Sequence, residues 1–261
     1  MAFAWLLPFL WAVVTSFKSE TSAAATPVSW FPKDGFNVDA YTNVLREGNI
    51  PLWTWNSLLT ATAITLLTLV VSSLAAYALA RIDFRGGRRW LFWLIIASII
   101  VPPPVLIVPL FYEMLTLNLV DTYWAIILPP QLVAPAMVFV LMKFFQQVPI
   151  ELEDAARIDG AGRLRVFWSI VLPLSRPILA AVGIFVFIAA WNNFLWPFII
   201  TSDASLMTLP VGLQTVKSAY GLQYAQTMAS AVLAALPLIV VFLFFQRQII
   251  RGFSTTGFGG Q

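Results

Sequence analysis

The chain has 261 residues, of which 60% are apolar and only 10% are charged. Soluble domains carry about 25% charged residues, so this composition excludes an ordinary soluble domain. Several apolar runs approach the roughly 20 residues that a helix needs to cross a bilayer, whereas a membrane barrel would show short alternating segments. The chain contains no Cys and no His, so disulfides, thiolate metal sites and the commonest metal ligand are excluded. We therefore predict an all-α polytopic membrane protein with no catalytic residue and no metal site.

Six apolar segments are predicted to be membrane spans. The first is short, since about 16 residues of helix rise roughly 24 Å. It lacks the basic leader of a signal peptide, although Ala23-Ala24-Ala25 downstream imitates a cleavage site. We predict that it is a retained span in a single membrane domain comprising residues 1–261. The six segments are residues 2–17, 58–80, 90–112, 123–142, 178–200 and 228–245.

The basic residues are distributed unevenly between the two sides of this arrangement, 11 on one side and 4 on the other. The richer side is cytoplasmic by the positive-inside rule, which places both termini in the cytoplasm. The cluster of Arg85, Arg88 and Arg89 is interpreted as part of this topology signal near anionic lipid, with a specific ligand site as the alternative. The cytoplasmic set is Arg81, Arg85, Arg88, Arg89, Lys143, Arg157, Arg163, Arg165, Arg176, Arg247 and Arg251.

Prolines are concentrated in the third and fourth predicted spans. A proline inside a helix removes a backbone hydrogen bond and collides with the preceding turn, so we predict that both spans are broken. Such breaks are tolerated in membranes where protein covers the freed backbone or where it lines a cavity. The residues are Pro102, Pro103, Pro104, Pro109, Pro129, Pro130 and Pro135.

Spans two to six contain no charged residue. Ion-coupled transporters usually keep Asp, Glu or His within the membrane as proton or sodium relays, which disfavours that class. No Gly is followed by Lys anywhere in the chain, so the phosphate-binding loop of nucleotide hydrolases is missing as well. If the protein drives transport, another chain must supply the energy and must hold a cytoplasmic element of this one.

The segment Glu151–Pro177 is the best candidate for that element. Pro149 ends the preceding span, and acidic residues then crowd the first turn of a new helix, where they complement the helix dipole. Glu153 and Arg157 are spaced to pair, and Gly160 is expected to end the helix in a left-handed conformation. We predict a helix over residues 151–160 on the cytoplasmic surface. The alternative is a solvated loop helix that only orients the chain.

After this helix, Arg163–Leu172 is expected to resume as helix, and Pro173 and Pro177 to bend the chain into the fifth span.

The same segment resembles the EAA signature, E-A-A-x3-G-x9-I-x-L-P, of permease subunits in ATP-binding-cassette (ABC) importers. The chain departs from it at Asp154, where the family usually has Glu; the charge is kept and the side chain is one methylene shorter. The positions that match in register are Asp154, Ala155, Ala156, Gly160, Ile170, Leu172 and Pro173.

Further stretches resemble the carbohydrate-uptake branch, and within it the second permease of maltose-type systems. The resemblance implies a type I ABC importer permease fold with six transmembrane helices and a cytoplasmic coupling helix. The relatives of that branch carry oligosaccharides, amino sugars or glycerol-3-phosphate. The stretches are Thr15–Lys18, Asn56–Leu58, Ala75–Ala78, Asp159–Ala161 and Trp191–Phe194.

The resemblance also implies partners and a site. A dimeric cytoplasmic ATPase would bind ATP and Mg, so this chain itself needs no cofactor. The other partners would be a second homologous permease, an extracytoplasmic substrate-binding protein and the bilayer of the bacterial inner membrane, with no nucleic acid. The residues implied in ATPase coupling are Glu153, Asp154, Ala155, Ala156, Asp159 and Gly160.

The external loop Ser202–Gln226 would, by the same resemblance, reach toward the binding protein through Tyr220, Gly221 and Leu222. The alternative is that this loop is a plain linker.

Polar and aromatic groups within the spans are candidates for the solute path. Asn side chains suit sugar hydroxyls and indole faces suit the apolar side of a sugar ring. The alternative is interhelical packing, because buried amides often hydrogen-bond across membrane helices. In maltose-type systems the partner permease holds most of the sugar contacts. The candidates are Tyr77, Gln131, Trp191, Asn192, Asn193 and Trp196.

Two other function classes compete with a sugar permease. A membrane-embedded enzyme would need interfacial acids, His or a metal cluster, and the acidic residues Glu151 to Asp159 are better explained as the coupling helix. An ion-coupled transporter is opposed by the uncharged spans. Among permeases a non-sugar solute remains open, because the EAA signature is shared beyond the sugar branch.

Overall fold

The computed structural model describes residues 2–32, 34–82, 87–132, 134–219 and 223–257, and within these ranges all regular structure is helical. A 3₁₀ turn, Pro103–Leu106, and a π-helical segment, Phe167–Val171, interrupt the α-helices. The helices are α1 Ala2–Ser16, α2 Glu20–Ala23, α3 Asp39–Glu47, α4 Ile50–Arg81, α5 Gly87–Ile100, α6 Ile107–Thr116, α7 Tyr123–Leu132, α8 Pro135–Phe145, α9 Ile150–Ile158, α10 Arg163–Val166, α11 Leu172–Leu174, α12 Arg176–Trp191, α13 Leu195–Ile200, α14 Leu209–Ala219 and α15 Tyr224–Gly257.

The helices include several that are long and apolar enough to cross a bilayer. Among the described residues two qualify alone, Ile50–Arg81 and Tyr224–Leu243, and two bent pairs qualify if each pair is one span. The bent pairs are Arg89–Ile100 with Pro103–Thr116, and Arg163–Leu174 with Arg176–Trp191. The helical class of the prediction is confirmed, and the number of six spans stays a prediction.

The breaks predicted from proline are present. In the third predicted span, the chain bends by 95° between the helical pieces that flank Pro102. In the fourth, α7 ends at Leu132 and α8 begins at Pro135, with two residues between them. A second bend of 81° separates Arg163–Leu174 from α12, where Pro177 occupies the first turn. Proline fits the first turn of a helix because its missing N–H needs no partner there, and Pro103, Pro135 and Pro177 each stand at the start of the helical piece that follows a break. Pro129 and Pro130, in contrast, lie within the continuous helix α7.

The contacts divide the chain into two compact units. The first comprises the described residues of Met1–Leu59 and Asn192–Phe244. In it the buried amide of Asn56 donates to the carbonyls of Ser205 and Met207, at 2.8 and 2.9 Å. The Trp53 indole donates to the Ala204 carbonyl at 3.2 Å. These bonds fix the segment before α14 against the start of α4.

The first unit also joins the loop after α1 to the start of α15. The carboxylate of Glu20 accepts hydrogen bonds from the backbone N–H of Ala225 and Gln226, at 3.1 and 2.8 Å. These N–H groups belong to the first turn of α15, where no partner exists inside the helix and where the dipole favours a negative charge. Glu20 therefore caps a helix more than 200 residues away in sequence.

The second unit comprises the described residues of Thr60–Trp191 and Phe245–Gln261. Leu141 and Phe145 of α8 are fully buried in it, as are Phe167 and Val171 of the π-helical segment. Because α8 leads into α9 and the π-helical segment follows α10, this packing holds both ends of the short charged region that the sequence singles out.

Candidate functional site

The candidate site is α9, which has the length and boundaries of a surface helix. Its N-cap is Pro149, with Glu151 and Glu153 in the first turn and Arg157 in the last, so the charges complement the dipole at both ends. Nine residues extend about 13 Å, less than half of a hydrocarbon core. The helix predicted over residues 151–160 is thus confirmed as Ile150–Ile158.

The C-terminus of α9 is closed by Gly160. This residue has φ +84°, its N–H donates to the Arg157 carbonyl at 3.0 Å, and the N–H of Ala161 donates to the Ala156 carbonyl at 2.9 Å. This pair of bonds is a Schellman motif, which satisfies the last carbonyls of a helix and requires a left-handed residue. The left-handed stop predicted from sequence is confirmed, and Gly160 sets the direction in which the chain leaves α9.

The inner face of α9 carries Glu153, whose side chain is fully buried. Arg81, at the end of α4, donates through Nε to Glu153 Oε1 at 2.7 Å. The Tyr77 hydroxyl donates to Glu153 Oε2 at 3.1 Å, and Arg157 Nη2 lies 3.6 Å from the same oxygen. A buried carboxylate is stable only when it is paired and hydrogen-bonded, and these three partners supply that pairing.

The partners of Glu153 are themselves held in place. A second guanidinium nitrogen of Arg81 donates to the Val148 carbonyl in the turn before α9. The Tyr77 ring packs against Phe167 of the π-helical segment, with centroids 5.1 Å apart. Tyr77 and Arg81 lie four residues apart, so they project from the same face of α4. We call Tyr77, Arg81 and Glu153 the buried clamp.

The outer face of α9 consists of Glu151, Asp154, Ala155 and Ile158, whose spacing of three, four and seven residues puts them on one side of the helix. All four are exposed, and Ile158 is 87% exposed. Arg157 Nη1 donates to Asp154 Oδ1 at 3.2 Å, with both side chains accessible to solvent. Such an exposed pair contributes little to stability, so Asp154 is available to a partner.

A groove of about 200 Å³ adjoins the outer face. Ala156 is half-buried, and with Asp159 and Ala161 it forms the α9 side of this groove. Arg165, Val166, Ser169 and Ile170 form the other side.

The six residues implied in coupling therefore separate by exposure. Glu153 faces inward, Ala156 is half-buried, and Asp154, Ala155, Asp159 and Gly160 are exposed. Glu153 can influence a partner only through the clamp, whereas the exposed four can touch one.

The candidates for the solute path are placed as follows. The Tyr77 hydroxyl is engaged by Glu153 and so belongs to the clamp. Trp191 is buried at the end of α12, with its ring 5.9 Å from that of Phe187. Trp196 is also buried, while Asn192 is exposed and Asn193 half-buried. The side chain of Gln131 lies outside the described residues, as do Tyr220, Gly221 and Leu222, and Arg85 in the basic cluster.

The sequence reading missed the role of Arg81, which it treated only as a topology signal. The available clue was the spacing of Tyr77 and Arg81 at the end of an otherwise apolar span, since a charged residue four positions after a tyrosine shares its helix face. The partner of that pair, however, is 72 residues further along the chain.

Comparisons with known proteins agree with this geometry. Residues 75–255 match the family described as binding-protein-dependent transport system inner membrane component. The chain is 37% identical over 263 residues to an arabinooligosaccharides transport system permease protein of Halalkalibacterium halodurans, covering 100% of this chain and 93% of that protein. It is 32% identical to a trehalose/maltose transport system permease protein of Thermococcus litoralis, covering 100% and 94%.

It is 44% identical over 199 residues to an sn-glycerol-3-phosphate transport system permease protein of Yersinia pestis, covering 76% of this chain and 70% of that one. Among solved structures, a chain of a bacterial ABC transporter involved in the import of alginate superposes with a TM-score of 0.80 at 21% identity. That match covers 94% of this chain and 91% of the other, and it establishes a shared fold. The chain thus has the fold of an ABC importer permease and belongs to the family of binding-protein-dependent transport system inner membrane components.

Proposed function

We propose that this protein forms half of the translocation path of a bacterial ABC importer for a sugar or a sugar-like solute. A separate cytoplasmic ATPase, which binds ATP and Mg, drives the transport by binding to α9 and moving it. The observation that carries this proposal is that α9 has two different faces. Its inner face is bound to α4 through the buried ion pair of Glu153 and Arg81, and its outer face is exposed.

The outer face of α9 is suited to the ATPase. The exposed side chain of Ile158 offers an apolar centre, Ala155 permits close approach, and Asp154 and Glu151 supply charges around them. An apolar centre within a charged rim is the usual make-up of a protein interface. The groove beside Ala156 and Asp159 would receive a side chain of the ATPase. Glu153 would act from the buried side.

The solute class is inferred from the relatives, whose names state arabinooligosaccharides, trehalose or maltose, and sn-glycerol-3-phosphate. All of these solutes are polar and carry two or more hydroxyl groups. The side chains of Asn192, Asn193 and Gln131 could hydrogen-bond such hydroxyls, and Trp191 and Trp196 could stack on a sugar ring. Tyr77 would serve the clamp.

The other partners would be a second homologous permease and an extracytoplasmic binding protein, which Tyr220, Gly221 and Leu222 would contact. Both termini would lie in the cytoplasm, on the side of α9 and of the larger share of basic residues.

Co-purification tests the assembly. The tagged chain is expressed with its own partner permease and ATPase, and the retained ATPase is quantified for the native chain and for Asp154→Lys, which reverses one charge on the outer face. We expect Asp154→Lys to lower ATPase retention by about tenfold or more, because the reversed charge would repel a basic group of the ATPase that faces Asp154. Retention of no ATPase by the native chain would refute the proposal, as would gradient-driven accumulation of solute by the lone chain in vesicles.

A panel of solutes tests the substrate class. The binding protein of the same system is titrated with arabinotriose, maltose, trehalose and sn-glycerol-3-phosphate, and separately with amino acids and divalent metal ions, and binding is followed by a shift in its thermal unfolding. The solute that binds is then supplied to vesicles that contain the complete complex and ATP. Capture of a polyhydroxylated solute followed by its ATP-dependent uptake is expected. Capture of an amino acid or a metal ion instead would contradict the sugar assignment while leaving the importer assignment intact.

A further inference from the structure

The buried clamp has a property that its stability alone does not explain. A buried ion pair is weak support for a fold, because apolar residues of similar size often stabilise as well or better. The pair does fix the orientation of α9 relative to α4, since the two oxygens of Glu153 are bound to two different side chains of α4. Rotation or sliding of α9 relative to α4 would break at least one of these bonds.

The clamp joins α9 to the end of α4 through side chains on the inner face of α9. α9 has nine residues, and its outer face is exposed, so its attachment depends on the inner face and on the flanking turns. Arg81 binds both the inner face, at Glu153, and the turn before α9, at Val148. Tyr77 binds Glu153 through its hydroxyl and contacts Phe167 through its ring. The last turn of α4 thereby holds α9, the turn before it and the segment after it.

We propose that Glu153, Arg81 and Tyr77 are positioning residues that make α9 and the end of α4 move as one rigid body. A displacement that the ATPase imposes on the outer face would then pass directly into the long helix α4. The direct contact with the ATPase is assigned to Asp154 and its exposed neighbours, and Glu153 serves the opposite side of the same helix. This inference rests on the proposed function, because it needs an ATPase that moves α9.

The proposal is tested by the distance between α4 and α9 during the ATP cycle. The chain contains no cysteine, so Leu66→Cys on α4 and Leu152→Cys on α9 introduce two unique sites for spin labels, both exposed and neither on the outer face of α9. The 15 residues between Leu66 and Arg81 place the first label about 22 Å along α4 from the clamp, within range of pulsed electron paramagnetic resonance. The complete complex with cysteine-free partners is measured without nucleotide and with ATP plus EDTA.

The labelled protein with the native clamp should give one narrow distance distribution, and this distribution should be the same without nucleotide and with ATP plus EDTA. Glu153→Gln removes the charge but keeps the shape, and Tyr77→Phe removes only the hydroxyl and keeps the ring against Phe167. We expect both to broaden the distribution and to shift it when ATP binds, with about a tenfold loss in the population of the native distance for each charge-assisted hydrogen bond removed. The exchange Arg81→Glu with Glu153→Arg should restore part of the narrow distribution.

The matched control is Glu113→Gln, which neutralises an exposed carboxylate of α6 that belongs neither to the clamp nor to the outer face of α9, and it should leave the distance unchanged. A shift of the native distance on ATP binding would overturn the rigid-body proposal, and so would unchanged distributions in Tyr77→Phe and Glu153→Gln. If Glu153→Gln does not assemble, Tyr77→Phe alone decides. Failure of the proposed function is recognised separately and earlier, because the ATPase would then be missing from the purified native complex.

Discussion

Gly160 offers the sharpest test of how α9 works, because the structure separates its backbone requirement from any packing requirement. Its φ of +84° lies in the left-handed region, and a Cβ added there would meet no atom within 4 Å. A substitution therefore fills empty space, and its whole cost comes from the backbone. For an L-residue that cost is roughly 1–2 kcal/mol, and it is larger for a β-branched residue and smaller for Asn.

The same turn contains a matched control. Gly162 has φ −71°, in the extended region that any residue adopts, and a Cβ there would also meet nothing within 4 Å. Gly162 is the N-cap of α10, where Gly is preferred to Ala, but Ala also restricts the unfolded chain, so these two effects oppose each other and Gly162→Ala should cost much less than Gly160→Ala. At Gly160 we expect a graded series in which Asn is mildest, Ala intermediate and Val most severe. Since 1.4 kcal/mol is a factor of ten in population, Gly160→Ala would make the native turn about tenfold less favourable relative to other conformations.

The assay is ATP-dependent uptake by the complete complex in vesicles, normalised to the amount of assembled protein, together with stimulation of ATP hydrolysis by the loaded binding protein. Gly160→Val is expected to abolish uptake and to uncouple this stimulation, because the chain leaves α9 in a different direction. Normal uptake by Gly160→Val would refute the reasoning. Equal losses in Gly160→Ala and Gly162→Ala would also refute it, since they would show that flexibility and not the left-handed conformation is needed.

Two further predictions concern the first unit. In Gly212→Ala the new methyl carbon would lie 2.1 Å from the Trp53 ring, and we expect a loss of about 1–3 kcal/mol, as for other overpacked sites, measured as a lower thermal midpoint of the purified protein. A midpoint as high as that of Gly162→Ala would show that the ring can move aside at little cost. Glu20→Ala should cost about 0.5–2 kcal/mol through loss of the α15 cap and should speed hydrogen exchange at Ala225 and Gln226. Unchanged exchange at these two amides would show that they do not depend on Glu20.

The local features of α9 could be predicted from sequence because they depend on neighbours in the chain. The pairing of Glu153 with Arg157 follows from a spacing of four residues, and the closure at Gly160 follows from the conformations open to glycine. The broken helices follow in the same way from proline. Each of these features is decided by a few consecutive residues, whatever the rest of the chain does.

The clamp could not be predicted in this way. Tyr77 and Glu153 are 76 residues apart, and nothing in the periodicity of either segment identifies the other as its partner. From the sequence alone Tyr77 is one of several polar or aromatic groups in the apolar spans, for which both the solute path and interhelical packing are open. The π-helical segment Phe167–Val171 is not predicted from the sequence either, because a short widened turn has no residue signature of its own.

The position of the clamp can be compared with the distribution of charge along the chain. The predicted membrane spans two to six contain no charged residue, which disfavours coupling to an ion gradient. A buried ion pair lies where α9 meets the end of α4, and a charge withdrawn from water is costly unless its partners stay in place. A contact of this kind resists partial displacement, whereas an apolar contact of equal area tolerates sliding because it has no preferred direction. A chain that is driven from outside gains from such a contact, since a movement applied at the outer face of α9 is then carried into α4 instead of being absorbed between the two helices.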